Sequence, residues 1–454
     1  MSALILRLFL ITIVLFFVRI KYGLCLLILL TMLVPTLPNG LHWSYVNISL
    51  FIAFLVYAKK KEIPLIDDSF FPFLFFYLAL LVIIPFSSGA PMDYQISTWI
   101  GNVLRFLILP MVMFQVFSHD NGKFKLILIS VYLCIFVATI YAFFLTQMDG
   151  INPYLLLLEV ENVENGEWDE WASDDTRVFG RIFSVFNHPM TFGCFIVNAF
   201  FFCLYKTLSA NKMKIVPIIG LLFLSICAVI CGVRSVMAGI AAGMIPFMFY
   251  NYKRKYFIYG GIFFAVVLVF ALQNETLLSY FTSIFSSSDK AELYGSSSYS
   301  GRLSQLMGCF NIMMDNPFFG KGFGWTAFYN EVFGSHPECR SFESYIFVIL
   351  CNWGLVGVIF WVLFLIRLFK QHLIAYEVGE DPYRILICLS TAHIAYICIT
   401  GDYVYTIFWA FFYLLILLDM RITNTSTQAD ELESENEICS ETQDSIEENM
   451  DVIK

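Results

Sequence analysis

Residues 124–146 read FKLILISVYLCIFVATIYAFFLT and hold a single charged side chain, Lys125, next to the start of the segment. A run of about 20 apolar residues is long enough to cross the hydrocarbon core of a bilayer as a helix. Similar runs recur along the chain, of which 59% is hydrophobic and only 14% is charged. This composition excludes an ordinary soluble domain, in which charged residues make up about a quarter of the chain.

The apolar runs predict an all-α polytopic membrane protein with about 12 or 13 membrane-spanning helices. The first run lacks a small-residue cleavage site, so we expect a membrane helix and not a removed signal peptide. If that run lies in the membrane interface instead of crossing it, the lower number holds. The predicted spans are 3–18, 22–38, 41–58, 70–87, 98–117, 124–146, 189–206, 215–232, 234–250, 256–273, 342–369, 384–400 and 403–419.

Lysine and arginine residues between the spans give the orientation, because short loops rich in these residues face the cytoplasm. An even number of predicted spans separates each basic cluster from the next, so all the clusters fall on one side. They lie at 19–21, 59–61, 123–125, 206–214, 253–255 and 367–370. Two long loops, at about 147–188 and 273–341, are therefore expected on the external face, together with a short turn at 232–234.

The charge of the chain is concentrated in its C-terminal segment. Residues 422–454 hold ten acidic residues and one lysine, which equals the whole net charge of −9. Such a polar, acidic segment with few aromatic residues is expected to be disordered. We therefore predict a membrane domain at 1–421 followed by an acidic, disordered cytoplasmic tail at 422–454, either simply solvated or bound to a partner.

The second external loop contains one predicted helix. Ser300 is a candidate N-cap, apolar residues follow at helical spacing up to Met314, and the pair Asn316-Pro317 is expected to end the helix. The run 320–324, GKGFG, predicts a tight backbone turn, since no strand precedes it as in a nucleotide-binding loop. Cys309 and Cys339 fall in the same loop, where a disulfide between them is compatible with an external compartment.

Five arginines are predicted on the external face, which is unusual for a loop region on that side. They are Arg177, Arg181, Arg234, Arg302 and Arg340. Arg234 lies at a junction of two spans, where an unpaired charge is costly, and Arg302 lies in the first turn of its helix, where a cation opposes the helix dipole. We predict that Arg181, Arg234 and Arg302 share an anion, whereas Arg177 has the adjacent Asp174 and Asp175 as alternative partners.

Two further residues near this face are candidate general bases. Glu343 opens the span that follows the second loop, and His336 lies seven residues before it. A carboxylate or an imidazole serves this role when it reaches the hydroxyl that reacts. The cysteine and histidine spacing matches no metal-binding motif, and the family resemblance described below implies a reaction without a metal or a cofactor. Gly239 and Gly243 form a GxxxG pair typical of close helix packing.

Several short motifs, in their order along the chain, resemble the O-antigen polymerase and O-antigen ligase superfamily of bacterial inner-membrane proteins. The resemblance covers about residues 170–370. Its motifs are RIFSVFNHP at 181–189, GVRS at 232–235, GR at 301–302, NPFFGKGFG at 316–324 and ESY at 343–345, followed by Asn352, Gly354 and Gly357. Ligases of the group usually carry a histidine followed by Asn or Ser where this chain has Glu343 and Ser344, and the ESY form is more similar to the polymerases.

The resemblance implies a glycosyltransferase that uses undecaprenyl-diphosphate-linked glycans at the periplasmic face, without a nucleotide sugar, a metal or a nucleic acid. It implies polymerisation of O-antigen or capsule repeat units, in company with a flippase and a chain-length regulator. Within that family, Arg181, Arg234 and Arg302 are expected to hold the diphosphate, and Glu343 or His336 to accept the proton of the acceptor.

Three alternative functions are compatible with the sequence. A ligase would move a finished glycan to lipid A core or to protein. A transporter would need ionisable residues near the bilayer midplane, for which Arg7 and Arg105 are the main candidates. A non-catalytic assembly partner would act through the acidic tail.

Overall fold

The computed structural model describes residues 2–34, 42–148, 152–158, 182–209, 215–250, 299–339, 342, 344–377, 384–400 and 407–423. Every regular element in these ranges is a helix, which confirms the predicted all-α class. The predicted span at 256–273 and the acidic tail beyond Thr423 lie outside the described residues.

The first seven helices come from the N-terminal third of the chain. They are α1 (Ser2–Leu33), α2 (Trp43–Lys61), α3 (Phe71–Leu80), α4 (Met92–Phe106), α5 (Ile108–His119), α6 (Phe124–Leu145) and the short α7 (Pro153–Leu157). A single 3-10 turn, Ile84–Phe86, follows α3. α4 and α5 are separated only by Leu107, so together they form one apolar segment from Met92 to His119.

The remaining helices carry most of the residues predicted to be functional. They are α8 (Pro189–Ser209), α9 (Ile215–Ile230), α10 (Arg234–Tyr250), α11 (Tyr299–Met314), α12 (Trp325–Phe333), α13 (Tyr345–Glu377), α14 (Arg384–Ile399) and α15 (407–423). The predicted helix of the second external loop is confirmed as α11, and it ends before Asn316-Pro317 as expected. The prediction of Ser300 as its N-cap is wrong, because the helix already includes Tyr299.

Five of the described helical segments are long and apolar enough to cross a membrane, which confirms a polytopic membrane protein. These are Leu4–Leu33, Met92–His119, Phe124–Leu145, Pro189–Ser209 and Tyr345–His372. Shorter apolar helices lie at Phe71–Phe86, Ile215–Ile230, Arg234–Phe249 and Arg384–Ile399.

The first of these segments is two helical arms and not one long helix. Arg19 has a non-helical backbone, with φ −149° and ψ 76°. A Cβ built at Gly23 would lie 3.0 Å from the main-chain nitrogen of Phe16, although seven residues of straight helix rise about 10 Å. The chain therefore turns back at Arg19, and Ile5 packs with Leu30 and Val34 across the two arms. The arms correspond to the predicted spans 3–18 and 22–38.

Three ion pairs join segments that the sequence places on the cytoplasmic side, and we call this group of contacts the basic end. They are Lys21–Asp120 at 2.5 Å, Lys206–Asp419 at 2.9 Å and Arg421–Asp67 at 2.9 Å. Each pair links two short loops or helix ends that are far apart in sequence. The partners share a side in the predicted topology, so the geometry agrees with the list of spans.

A second group of contacts joins segments predicted on the external face, and we call it the loop end. The amides of Gly89 and Ala90 both donate to the carbonyl of Lys321, at 2.8 and 2.9 Å. The side-chain amide of Asn316 donates to the carbonyl of Phe86 at 2.9 Å, and the hydroxyl of Tyr154 donates to the carbonyl of Leu33. Which of the two ends faces the cytoplasm stays a prediction.

Helix α13 is broken at Gly354, and the loop after α11 fills the break. Gly354 has φ 58° and ψ −156°, which interrupts the helical hydrogen bonding on both sides. The segment 317–322 lies along the interrupted backbone, close enough that a Cβ at Gly320 would lie 2.6 Å from the main-chain carbon of Asn352. Both glycines have positive φ, so a side chain is excluded there by sterics and by backbone conformation.

Candidate functional site

The C-terminal turn of α14 is the point at which the predicted functional segments meet. The last carbonyls of a helix have no partner within that helix, so they accept hydrogen bonds from other groups. The guanidinium of Arg302 donates to the carbonyl of Ile399, and the hydroxyl of Ser344 donates to the carbonyl of Cys398 at 2.6 Å. A cation at this position is also favoured by the negative end of the α14 dipole.

The first turn of α8 packs against the same end of α14. The hydroxyl of Tyr396 donates to the carbonyl of Met190 at 2.6 Å, and the Thr400 hydroxyl lies 3.2 Å from the Met190 sulfur. His188 caps this helix, because its Nδ1 accepts a hydrogen bond of 3.1 Å from the amide of Met190. The structure therefore gives His188 a local structural role at the start of α8.

The packing of α10 on α14 places Arg234 near the C-terminal turn of α14. A Cβ at Gly239 would lie 3.1 Å from the carbonyl of Ala392, and one at Gly243 would lie 2.7 Å from the carbonyl of Cys388. Four residues forward on α10 thus correspond to four residues back on α14, so the two helices are antiparallel. Arg234, five residues before Gly239, lies near the level of Ile397, in the last turn of α14. The predicted close packing through the GxxxG pair is confirmed.

Four helices consequently begin around one helix end. α8, α10, α11 and α13 start within a few residues of the groups that contact positions 396–400 of α14. The N-terminus of a helix carries a partial positive charge and points amide groups outward, which favours an anion. Arg234 and Arg302 add two permanent charges to the same region, and the Nε atom of Arg234 is buried there. The arrangement is suited to bind a multiply charged anion.

His336 lies beside this region, on the rim formed by α12. Its ring packs against Tyr329 at 4.6 Å and against Trp325 at 5.8 Å between centroids. Trp325 in turn packs against Phe342 at 6.0 Å, one residue before Glu343. Partial burial lowers the pKa of His336, and the charge of Lys321 acts in the same direction, whereas Glu338 and Asp315 oppose the shift.

The hydrogen bonding of His336 bears on its candidate role as a base. Its Nδ1 accepts a hydrogen bond of 3.2 Å from the amide of Glu338. With Nδ1 as the acceptor, the proton of the neutral ring is assigned to Nε2, so the outward nitrogen is a donor. This tautomer makes His336 better suited to donate a hydrogen bond than to accept a proton.

Four of the predicted site residues, Glu343, Arg177, Arg181 and Arg340, lie outside the described residues. Phe342 and Ser344, the neighbours of Glu343, are described, and Ser344 contacts the α14 end directly. The structure thus brings together Arg234, Arg302 and Ser344, with His336 at the rim.

Three consecutive amides of the GKGFG loop donate hydrogen bonds within the protein. The amide of Lys321 donates to the carbonyl of Cys351, that of Gly322 to the carbonyl of Asn352, and that of Phe323 to the side chain of Gln95, at 2.8, 2.9 and 2.9 Å. The predicted turn is present, and these three bonded amides hold the loop against α13 and α4.

Polar residues deep between the helices were not singled out from the sequence. His393 is fully buried, its Nδ1 lies 3.1 Å from the side-chain nitrogen of Asn198, and its ring stacks on Trp409 at 4.8 Å. The three residues lie on three different helices, so nothing in the linear sequence links them. Among the described residues, no group of three or more potential metal ligands is present, and the absence of a metal from the reaction stays a prediction.

The order of these elements agrees with a comparison to known families. Residues 219–362 match the O-antigen ligase family model. The matched segment runs from α9 into α13 and contains Arg234, Arg302, His336 and Glu343. The resemblance to the O-antigen polymerase and ligase superfamily is thereby confirmed over this part of the chain. No curated protein matches the chain.

Proposed function

We propose that this protein is a polysaccharide polymerase of the bacterial inner membrane. In this proposal it transfers an undecaprenyl-diphosphate-linked glycan onto a lipid-linked repeat unit at the periplasmic face. The observation that carries the proposal is the meeting of four helix N-termini, Arg234 and Arg302 at the end of α14, inside the segment that matches the O-antigen ligase family.

The diphosphate of the carrier is the leaving group, and its departure requires that the growing negative charge be stabilised. Guanidinium groups remain charged at any physiological pH and bind phosphate oxygens through two donors. In this proposal Arg234 and Arg302 hold the diphosphate, together with Arg181, Arg177 and Arg340. The hydrogen bond to Ile399 fixes the position of Arg302 before substrate arrives.

The acceptor hydroxyl attacks the anomeric carbon from the face opposite the diphosphate, so that the configuration is inverted. A bond forms between the acceptor oxygen and the anomeric carbon while the bond to the diphosphate oxygen breaks with its electron pair. The proton of the acceptor passes to Glu343, or to His336 as the second candidate. The tautomer of His336 favours Glu343 for this role.

Substitution of the two described arginines tests the site. Arg234→Ala and Arg302→Ala are each expected to lower polymer formation by about 10²–10³-fold, the usual cost of one preorganised donor, at normal membrane levels of protein. Arg367→Ala is the matched control, because this exposed arginine lies at the opposite end of α13. Wild-type polymer ladders from both site variants would refute the proposal.

A ligase is the second candidate, because the matching family model is described as O-antigen ligase. Deletion of the gene separates the two functions. A polymerase deletion leaves single repeat units on the final acceptor, whereas a ligase deletion leaves full-length polymer on the lipid carrier. Reporter fusions at Arg234 and Arg302 add an independent test, since both positions must report the periplasmic side.

A further inference from the structure

A cavity of about 60 Å³ lies next to the candidate site, between α1, α2, α4, the first turn of α8 and the start of α15. Four uncharged polar side chains line it, Thr31, Asn47, Asn187 and Thr191. By the usual measure of about 10–15 Å³ per water-sized probe, it has room for about four to six water-sized groups.

The four polar side chains make no side-chain hydrogen bond to any described residue. Asn47 is the strongest case, because its side chain is only 4% exposed. A buried amide without a partner costs free energy, so such groups are normally bonded to protein or to a bound molecule. Asn152, for comparison, bonds Tyr141, Ser184 and Leu155, whereas Gln115 in α5 has a buried amide without a hydrogen-bond partner among the described residues and does not line this cavity. The four polar side chains of the cavity are therefore available to hydrogen-bond a bound molecule.

The cavity and the candidate site share one turn of helix. Asn187 precedes His188, and Thr191 follows Met190, whose carbonyl and sulfur contact α14. The first turn of α8 therefore takes part in both the cavity and the candidate site. A substrate bound in the cavity would present its remaining groups to the end of α14.

The lining chemistry indicates a sugar. Two amides and two hydroxyls offer both donors and acceptors, as the hydroxyls of a saccharide require. Trp43 and Phe186 supply apolar walls of the kind that pack on a sugar face. One cation, Arg105, lies at the exposed side. Phosphate is a poorer fit, because Arg105 is the one charged side chain in the lining that the structure describes and would compensate little of its negative charge.

We propose that this cavity binds the hydroxyl-bearing edge of a sugar ring in the acceptor glycan. The assignment of that sugar to the acceptor rests on the proposed polymerase function, whereas the binding of a sugar does not. Asn47 and Thr31 are the specificity-determining residues of this cavity.

The test measures binding of a free oligosaccharide to the purified full-length protein in detergent. The probe is the repeat unit of the native host, released from its lipid carrier by mild acid and so lacking the diphosphate. Asn47→Leu is expected to weaken binding about tenfold, the effect of about 1.4 kcal/mol, and Thr31→Val severalfold. The unfolding temperature of Asn47→Leu is expected to stay level or rise, because the Asn47 side chain makes no hydrogen bond to the described residues that the change would remove.

Gln115→Leu is the matched control. Gln115 is fully buried in α5, both polar atoms of its side chain lack a hydrogen-bond partner, and it does not line the cavity. Its replacement is expected to leave oligosaccharide binding unchanged. This control separates the removal of a buried amide in general from the removal of one that faces the cavity.

Three results would overturn the proposal. They are wild-type affinity in Asn47→Leu, no binding to the wild-type protein at millimolar oligosaccharide, and displacement of the oligosaccharide by equimolar inorganic phosphate, which would identify an anion site. Arg302→Ala is expected to bind the free oligosaccharide as the wild type does. Wild-type polymer ladders in Arg302→Ala would therefore count against the polymerase proposal. Wild-type oligosaccharide affinity in Asn47→Leu would count against the sugar site.

Discussion

The amide of Gly322 donates a hydrogen bond of 2.9 Å to the carbonyl of Asn352, in the turn where α13 breaks. On the other side of the break, the amide of Leu355 donates to the carbonyl of Pro317 at 2.9 Å. The loop therefore supplies donors to the carbonyls and acceptors to the amides that the break exposes. Because α13 begins at the candidate site, the loop also fixes the position of Ser344 at the end of α14.

Gly354→Ala is expected to destabilise the protein by at least about 2 kcal/mol. Its Cβ would lie 2.7 Å from the amide nitrogen of Gly320 and from the carbonyl of Pro317, at a φ of 58°. Thermal unfolding in detergent measures the effect. Gly101→Ala is the control, since a Cβ there meets nothing within 4 Å and alanine favours a helix. Equal unfolding temperatures for the two variants would show that the break tolerates a side chain.

The sequence predicted those parts of the fold that depend on local pattern. Apolar runs long enough to cross a membrane predicted most of the described helices. The pair Asn316-Pro317 predicted the end of α11, because a residue before proline disfavours the helical conformation. The basic clusters at Lys21 and Lys206 correctly fell at one end of the structure, where each finds an acidic partner.

The site depends on contacts that no local pattern reveals. Arg302 meets Ile399 across nearly a hundred residues, and only the packing of α10 on α14 brings Arg234 near the last turn of α14. The break at Gly354 lies in an apolar run that the sequence predicts as one continuous span. The sequence therefore does not indicate that the GKGFG loop bonds the backbone at this break. The polar residues of the cavity are single asparagines and threonines in different parts of the sequence. No local pattern indicates that they line one cavity.

The free energy of unfolding is expected to fall as the pH is lowered, because His336 resists protonation in the folded protein. Partial burial lowers the pKa of this ring in the folded protein from its ordinary value of 6.5. Below pH 6.5 the unfolded chain therefore takes up a proton that the folded protein resists, and acid favours unfolding until the lowered pKa is passed. His336→Gln should flatten the decline of the unfolding temperature between pH 7 and pH 5.

His42→Gln is the matched control for that measurement, because His42 is exposed at the start of α2. This variant should retain the decline of the wild-type protein. An unchanged decline in His336→Gln would instead assign the acid sensitivity to other groups.

Cys309 and Cys339 are expected to form a disulfide in the oxidising compartment. Their sulfur atoms lie 3.5 Å apart, and both side chains are buried between α11 and the segment after α12. The two thiols would give up two electrons and two protons to the disulfide of a thioredoxin-like oxidase, which leaves as a dithiol. The bond would join the helix of Arg302 to the segment of His336.

Trypsin gives a direct readout of that bond. Cleavage after Arg302, Lys321 and Arg340 yields the peptides 303–321 and 322–340, each with one cysteine. Mass spectrometry of alkylated, unreduced protein should find the two peptides linked and should find them separate after reduction. Two alkylated peptides without reduction, or a link from Cys309 to Cys351 instead, would contradict the prediction.

The ion pair between Asp67 and Arg421 at the basic end is expected to contribute to stability but not to glycan synthesis. Burial opposes ionisation of Asp67, yet hydrogen bonds from Arg421 and Ser69 outweigh it and hold the pKa of this carboxyl below its usual 3.8. The contribution is therefore present above that pH and is lost as the pH falls through the lowered pKa. Asp67→Asn should cost about 1 kcal/mol at neutral pH, because the pair is partly exposed.

Asp68→Asn, at the exposed neighbouring position, is the control and should leave the stability unchanged. Both variants should give wild-type polymer ladders, because the candidate site lies at the other end of the helices. Loss of polymer in Asp67→Asn at normal protein levels would mean that the two ends of the membrane domain are coupled.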